Sequence, residues 1–244
     1  MKIFEISLDM PLHPGDISGF RAAIVELVGR EHDLFHNHDA SGDARHTHWR
    51  YPLIQYQVRR GRATLLALSE GVEQVKQKLL PALPEVMSFA GRQHPVNGYC
   101  VRMRDYSWSL HDRGLAYGLV RWLGLNAENY STWKKMKDPE RQKMLLGRAL
   151  TGHLRAFAEV AQVPFKDELT AKVLEVHGLK RVKWHGTDFI GFNLSFESNL
   201  ALPLHVGLGR CVAFGFGEIL SASAYENFCA IQQRQAKRGR PRLV

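Results

Sequence analysis

Phe35-His36-Asn37-His38-Asp39 places two imidazoles two positions apart in a polar stretch of the chain. Cutting RNA without a metal ion requires a base to take the 2′-hydroxyl proton and an acid to protonate the departing 5′-oxygen. It also requires donors that stabilise the charge growing at phosphorus. Imidazole titrates near pH 6.5, so a histidine pair, or a histidine with a tyrosine, can supply both proton transfers near neutrality. One histidine among the 12 of this chain would most often be structural; a pair in a basic chain carries more weight. The spelling invites comparison with HNH nucleases. Those take their histidines and asparagine from well-separated positions of a metal-binding unit, so adjacent residues do not make that motif.

A second pair follows in Arg45-His46-Thr47-His48-Trp49-Arg50-Tyr51, and four histidines within thirteen positions open a zinc-binding alternative. Against it, the spacing matches no helical ligand pair, and Gly42 with its polar neighbours reads as loop. No metal and no cofactor is therefore expected. Farther on, His205 to Ile219 carries Gly207, Gly209, Gly215 and Gly217 around Arg210. These glycines admit positive φ and close approach of another backbone or a phosphate, although a glycine-softened hairpin has the same spelling. A dinucleotide fingerprint is excluded, because no helix opens after Gly209.

The elements that must position these residues follow from periodicity. Residues 2–10 alternate as a strand, and Asp16 is placed to cap a helix whose apolar face is Phe20, Ala23, Ile24, Leu27 and Val28. Residues 51–58 and 63–68 read as a hairpin about Gly61, and Val72, Val75, Leu79 and Leu80 as a helix closed by Pro81. With a strand at 99–110 the first half has the order β-α-β-β-α-β, that of ferredoxin-like and RNA-recognition-motif sheets. The second half repeats it less clearly. Strands are expected at 115–125, 172–176, 189–196 and 211–220, and Asp138-Pro139 opens a helix running to about Val163. The reading is an α+β protein of tandem ferredoxin-like domains, 1–110 and 111–231, with a C-terminal glycine-rich loop and a basic, disordered tail at 232–244. Arg238-Gly239-Arg240-Pro241 in that tail is spelled like an AT-hook, a four-residue signal that a merely basic tail also satisfies.

The formal net charge of +9, from 33 Lys and Arg against 24 Asp and Glu, favours a polyanionic partner. Three cysteines without metal spacing argue against a disulfide framework and fit a reducing cytoplasm. Glu5 interrupts any apolar leader and no long apolar run follows, so neither export nor a membrane partner is expected.

The segment Gly-Leu-Gly-Arg at 207–210, followed by Gly-Phe-Gly at 215–217, resembles the glycine-rich loop of the CRISPR repeat-processing endoribonucleases, the Cas-six family. Leu34 to His38, followed by Tyr51-Pro52-Leu53-Ile54-Gln55-Tyr56, resembles its branch using two histidines and a tyrosine. The resemblance implies cleavage within each repeat of the precursor transcript, leaving a 5′-hydroxyl and a 2′,3′-cyclic phosphate. His38 and His36 would share the proton transfers, and Tyr51 would orient a histidine or the scissile phosphate. Arg45 and Arg50 would clamp charge, with Gly207, Gly209, Arg210, Gly215 and Gly217 on the RNA. Trp49, Trp133 and Trp184 are stacking candidates, although a buried core role is the better reading of any one of them. CRISPR repeat RNA is the implied partner. An effector complex is a further one left open, as is the choice between monomer and homodimer. Two departures stand out: Cys211, Val212 and Ala213 are apolar where many relatives are basic, and 39–50 form a long spacer before Tyr51. A catalytically silent RNA-binding subunit of the same fold and a metal-dependent hydrolase using the His-x-His pairs are the alternatives.

Overall fold

The structure is a computed structural model that describes residues 1–36, 51–164, 168–184 and 187–238. It divides into two units: Met1–Ser107 with Ala156–Pro164 and Cys211–Gly215, and Trp108–Arg155 with Phe165–Arg210 and Phe216–Val244.

In the first unit β1 (Lys2–Pro11) alternates Phe4, Ile6, Leu8 and Met10 into the core with Glu5, Ser7 and Asp9 on the other face. There Glu5 meets Arg59 at 2.5 Å and Asp9 pairs with Arg62. Helix α1 (Ile17–Val28) covers the apolar face with Ile17, Phe20, Ile24 and Val25. Asp16 does not cap it as expected: its carboxylate makes no cap bond and instead accepts from Arg92 at 2.8 Å. Strands β2 (Ile54–Arg59) and β3 (Arg62–Leu68) form the expected hairpin. Helix α2 (Gly71–Gln74) continues into a π turn at Val75–Leu79. A small hairpin, β4 (Val86–Phe89) and β5 (Arg92–Pro95), was not legible, because four-residue strands are too short to show a period. β6 (Tyr99–Asp105) completes an antiparallel sheet of order β2-β3-β1-β6.

In the second unit β7 (Leu110–Trp122) leads through an unforeseen helix α3 (Ala127–Lys135) to α4 (Pro139–Val160). Asp138 Oδ1 accepts the Glu140 N–H at 2.9 Å, as its position before Pro139 implies. β8 (Ala171–Trp184), β9 (Thr187–Leu200) and β10 (Glu218–Ser221) give the order β10-β7-β9-β8. Each unit thus sets its first strand between its third and last, which is the ferredoxin-like sheet twice over.

Two expectations are corrected. Residues 211–220 do not form one strand: Cys211 (φ +56°), Gly215 (+75°) and Gly217 (+71°) are left-handed, Val212–Phe214 is a 3-10 turn, and pairing begins only at Glu218. The first part of the tail is helical rather than disordered, since α5 (Ala222–Arg238) continues into it as far as Arg238, while 239–244 lie outside the described residues. That helix is started by Ser221, whose Oγ accepts from Ala224 N at 3.3 Å, and anchored by buried Tyr225. No helix among the described residues is long and apolar enough to cross a membrane.

Candidate active site

His36 reaches the surface because its neighbour is pulled inward. After α1 stops at Gly29, a 3-10 turn over Asp33–Phe35 drives Phe35 into the core at 1% exposure, and the next residue must face out. Side chains from the core hold two consecutive carbonyls here. The Tyr56 hydroxyl donates to Phe35 O at 3.1 Å, and Arg21 Nη2 donates to His36 O. The His36 ring is fixed in turn by Nε2 against Arg30 O at 2.7 Å. A carbonyl only accepts, so Nε2 carries the hydrogen and, in the neutral ring, Nδ1 carries the lone pair that can take a proton.

Neither Arg21 nor Tyr56 was anticipated. Arg21 lies on the apolar stripe of α1 beside Phe20 and between Ile17 and Ile24, and a charge on such a stripe was the available signal. Its guanidinium stands 4.7 Å from the Phe214 ring centroid, and burial lowers its pKa. Tyr56, from β2, is fully buried and its phenol is pushed upward by that burial. Tyr51 precedes the same strand: its hydroxyl accepts from Gln55 Nε2 at 2.8 Å and its ring packs 5.2 Å from Phe157. Burial drives its phenol far above the ordinary range, so it stays protonated near neutrality and suits orientation rather than proton transfer.

The glycine-rich segment is divided between the units, with Gly207, Gly209, Arg210 and Gly217 in the second and Gly215 in the first. Gly209 (φ +91°) lies against Trp122, where a Cβ would fall 2.7 Å from Nε1. Gly217 (φ +71°) lies against its own loop, where a Cβ would fall 1.9 Å from Leu208 O. Gly207 bridges to Glu218, and Gly215 leaves only 3.0 Å between a Cβ and Tyr56 O. The amides of Leu208, Arg210, Phe214, Gly215 and Gly217 all donate to protein carbonyls. The backbone here is therefore committed to its own packing, and Arg210, exposed with its guanidinium 6.0 Å from the Phe189 ring, is the cation the loop presents. His205, at φ +71°, accompanies it with Nδ1 2.7 Å from Glu218 Oε1.

Of the residues read as candidates, His38, Arg45 and Arg50 lie outside the described residues, with His46, His48, Trp49 and the AT-hook-like tail from Gly239. The side chain of Trp184 does so as well. Trp133 is a core residue, buried between Tyr130 and Phe192. What the structure does bring together is the His36 segment and the Cys211–Gly215 turn, both of which touch Arg21 and the Tyr56 strand.

In the second unit His153, on α4, sits edge-on to buried Trp122 with ring centroids 5.6 Å apart. Burial, and then the nearby Arg210 charge, lower its pKa to about 4. The unfolded imidazole binds a proton near pH 6.5 and the folded one does not, so the unfolded state binds more protons between the two values and stability falls as pH drops from 6.5 toward 4. His153→Asn should remove about 2 kcal/mol of that acid sensitivity. Melting curves of both proteins from pH 7 to 4.5 check this: parallel losses would refute it.

Residues 1–105 match the model of the Cas6b N-terminal domain and residues 109–222 that of the Cas6b C-terminal domain. The fold is similar to a crystal structure of Cas6b, with a TM-score of 0.78 and 20% identity over 91% of this chain and 100% of that one. It is also similar to a CRISPR RNA processing endoribonuclease Cas6b, with a TM-score of 0.67 and 21% identity over 90% and 99%. Uncharacterized protein MJ0978 of Methanocaldococcus jannaschii is 30% identical over 126 residues, which are 51% of this chain and 84% of that protein. Two ferredoxin-like units matching the family's two domains in order place this chain in the Cas6b family.

Proposed function

We propose that this protein is a CRISPR RNA-processing endoribonuclease that cuts within the repeat without a metal ion. The observation that carries the reading is the match of both halves to the two Cas6b domains, with His36 presented at the surface from the first of them. The attacking group is the 2′-oxygen beside the scissile phosphate: its proton goes to one histidine, the P–O5′ bond breaks, and the leaving 5′-oxygen takes a proton from the other. The step is an internal transesterification that consumes no water and leaves two products, one ending in a 2′,3′-cyclic phosphate and the other in a 5′-hydroxyl.

His38 and His36 share the transfers, with Tyr51 as the orienting phenol. Arg45 and Arg50 offset charge at phosphorus, while Arg210 and the glycine-rich segment hold the strand in the cytoplasm, where an effector complex receives the product only if the enzyme retains it. By sequence the histidines belong to domain 1–110 and the glycine-rich loop to 111–231, with the loop's Cys211–Gly215 turn packed in the first unit.

The test incubates purified protein with end-labelled repeat RNA in excess chelator and maps both ends. A single cut with a cyclic phosphate is expected. Tight binding without a cut would make the chain a silent RNA-binding subunit, and a cut abolished by chelator but restored by manganese would make it metal-dependent.

A further inference from the structure

We infer that Arg21 is a positioning residue for RNA cleavage, a single side chain that ties the backbone of His36 to the Cys211–Gly215 turn. This rests on the reading of His36 as part of the cleavage machinery. A guanidinium on the core-facing stripe of α1 is costly to hold there, and among the described residues no carboxylate pairs with it. Its Nε is buried without a hydrogen-bond partner among the described residues, so the site forgoes part of the donor capacity of the group. What it keeps is directional: Nη2 on His36 O, and the guanidinium plane 4.7 Å from the Phe214 ring. Only arginine can do both, because a planar fork stacks and donates at once while an ammonium is a point charge.

The surroundings show why such a tie matters. Phe214 immediately precedes Gly215, whose positive φ and 3.0 Å clearance to Tyr56 O press the turn onto β2. The same Tyr56 donates to Phe35 O, one residue before His36. Arg21 and Tyr56 therefore hold adjacent carbonyls of the histidine segment and also define where the turn lies. The Phe214 face and the buried Nε leave the guanidinium enclosed, which suits a residue acting through His36 rather than one touching RNA. Loss of the tie frees a catalytic imidazole to shift, and a displacement of about 1 Å costs a rate factor on the order of 100.

The experiment uses the full chain carrying Arg21→Met, with two readouts. Amide hydrogen exchange at 33–36 and 212–215 should speed up by about tenfold or more while the strands of the first unit keep their protection. Single-turnover cleavage of repeat RNA at saturating protein should fall about 100-fold, with affinity for a 2′-O-methylated repeat within about twofold of wild type. A merely structural role would instead lower core protection and affinity together.

Unchanged exchange in the two segments, or cleavage at the wild-type rate, overturns the proposal. Should the wild type not cut RNA at all, the endoribonuclease reading fails by itself and the exchange measurement still decides whether Arg21 makes the tie. If Arg21→Met does not fold, Phe214→Leu removes the stack and leaves the arginine. A rate loss of about tenfold confined to the same pair of segments is then expected, and none would overturn it.

Discussion

Replacing His36 and His38 together with alanine should lower single-turnover cleavage of repeat RNA by about 1,000-fold or more while leaving RNA affinity within about twofold. The size follows from losing both proton transfers at once. Each contributes roughly 100- to 10,000-fold, and residues that act as a unit do not add, so the double variant should be little worse than the worse single one. Retained binding follows from how His36 is held. The bonds from Arg21 and Tyr56 end on the His36 and Phe35 carbonyls, which alanine keeps, while the exposed ring contact to Arg30 O is lost. The fold of the segment and the basic surface therefore survive the change. Product analysis on gels, with filter binding alongside, checks it. A double variant that cuts at more than a tenth of the wild-type rate would remove these histidines from the chemistry.

Gly217→Ala should destabilise the protein by about 3 kcal/mol, a loss of about 10 °C in melting temperature for a chain of this size. A Cβ there would overlap Leu208 O at 1.9 Å, and that atom belongs to backbone fixed on both sides. Leu208 N donates to Gly217 O at 2.8 Å, and Gly217 N to Arg121 O at 3.3 Å, so the glycine cannot move away without breaking the ties that shape the loop. Its φ of +71° adds strain for any L side chain. Gly152→Ala is the contrasting control. That glycine is exposed on α4 with nothing within 4 Å of a Cβ, and alanine there should add about 0.5–1 kcal/mol. Calorimetry of the two variants separates the effects. Equal melting temperatures would show that the loop tolerates a side chain where the backbone closes on itself.

Local periodicity determined a good deal of this molecule. The alternation in β1, the apolar stripe of α1, the hairpin about Gly61 and the Asp138-Pro139 helix start are each written within a few residues, because strand and helix patterns repeat every two and 3.6 positions. The histidine pair, the basic charge and the glycine spelling pointed to RNA for the same reason: they are properties of adjacent residues and of composition.

Where the pattern misled, conformation was the missing variable. Val212, Phe214 and Phe216 alternate with smaller residues as a strand would, yet Cys211, Gly215 and Gly217 are left-handed, and a positive φ leaves no mark that distinguishes it from an ordinary glycine. The helix over 222–238 was hidden because polar side chains outnumber the few, such as Tyr225, that anchor it. Charge, residue spacing and periodicity together already pointed to a polyanion-binding α+β protein with histidines able to move protons. Only the tertiary structure decided which groups hold His36, because Arg21, Tyr56 and Phe214 are brought to one place by sheet pairing and helix packing between residues as far apart as 193 positions, a proximity no local pattern encodes.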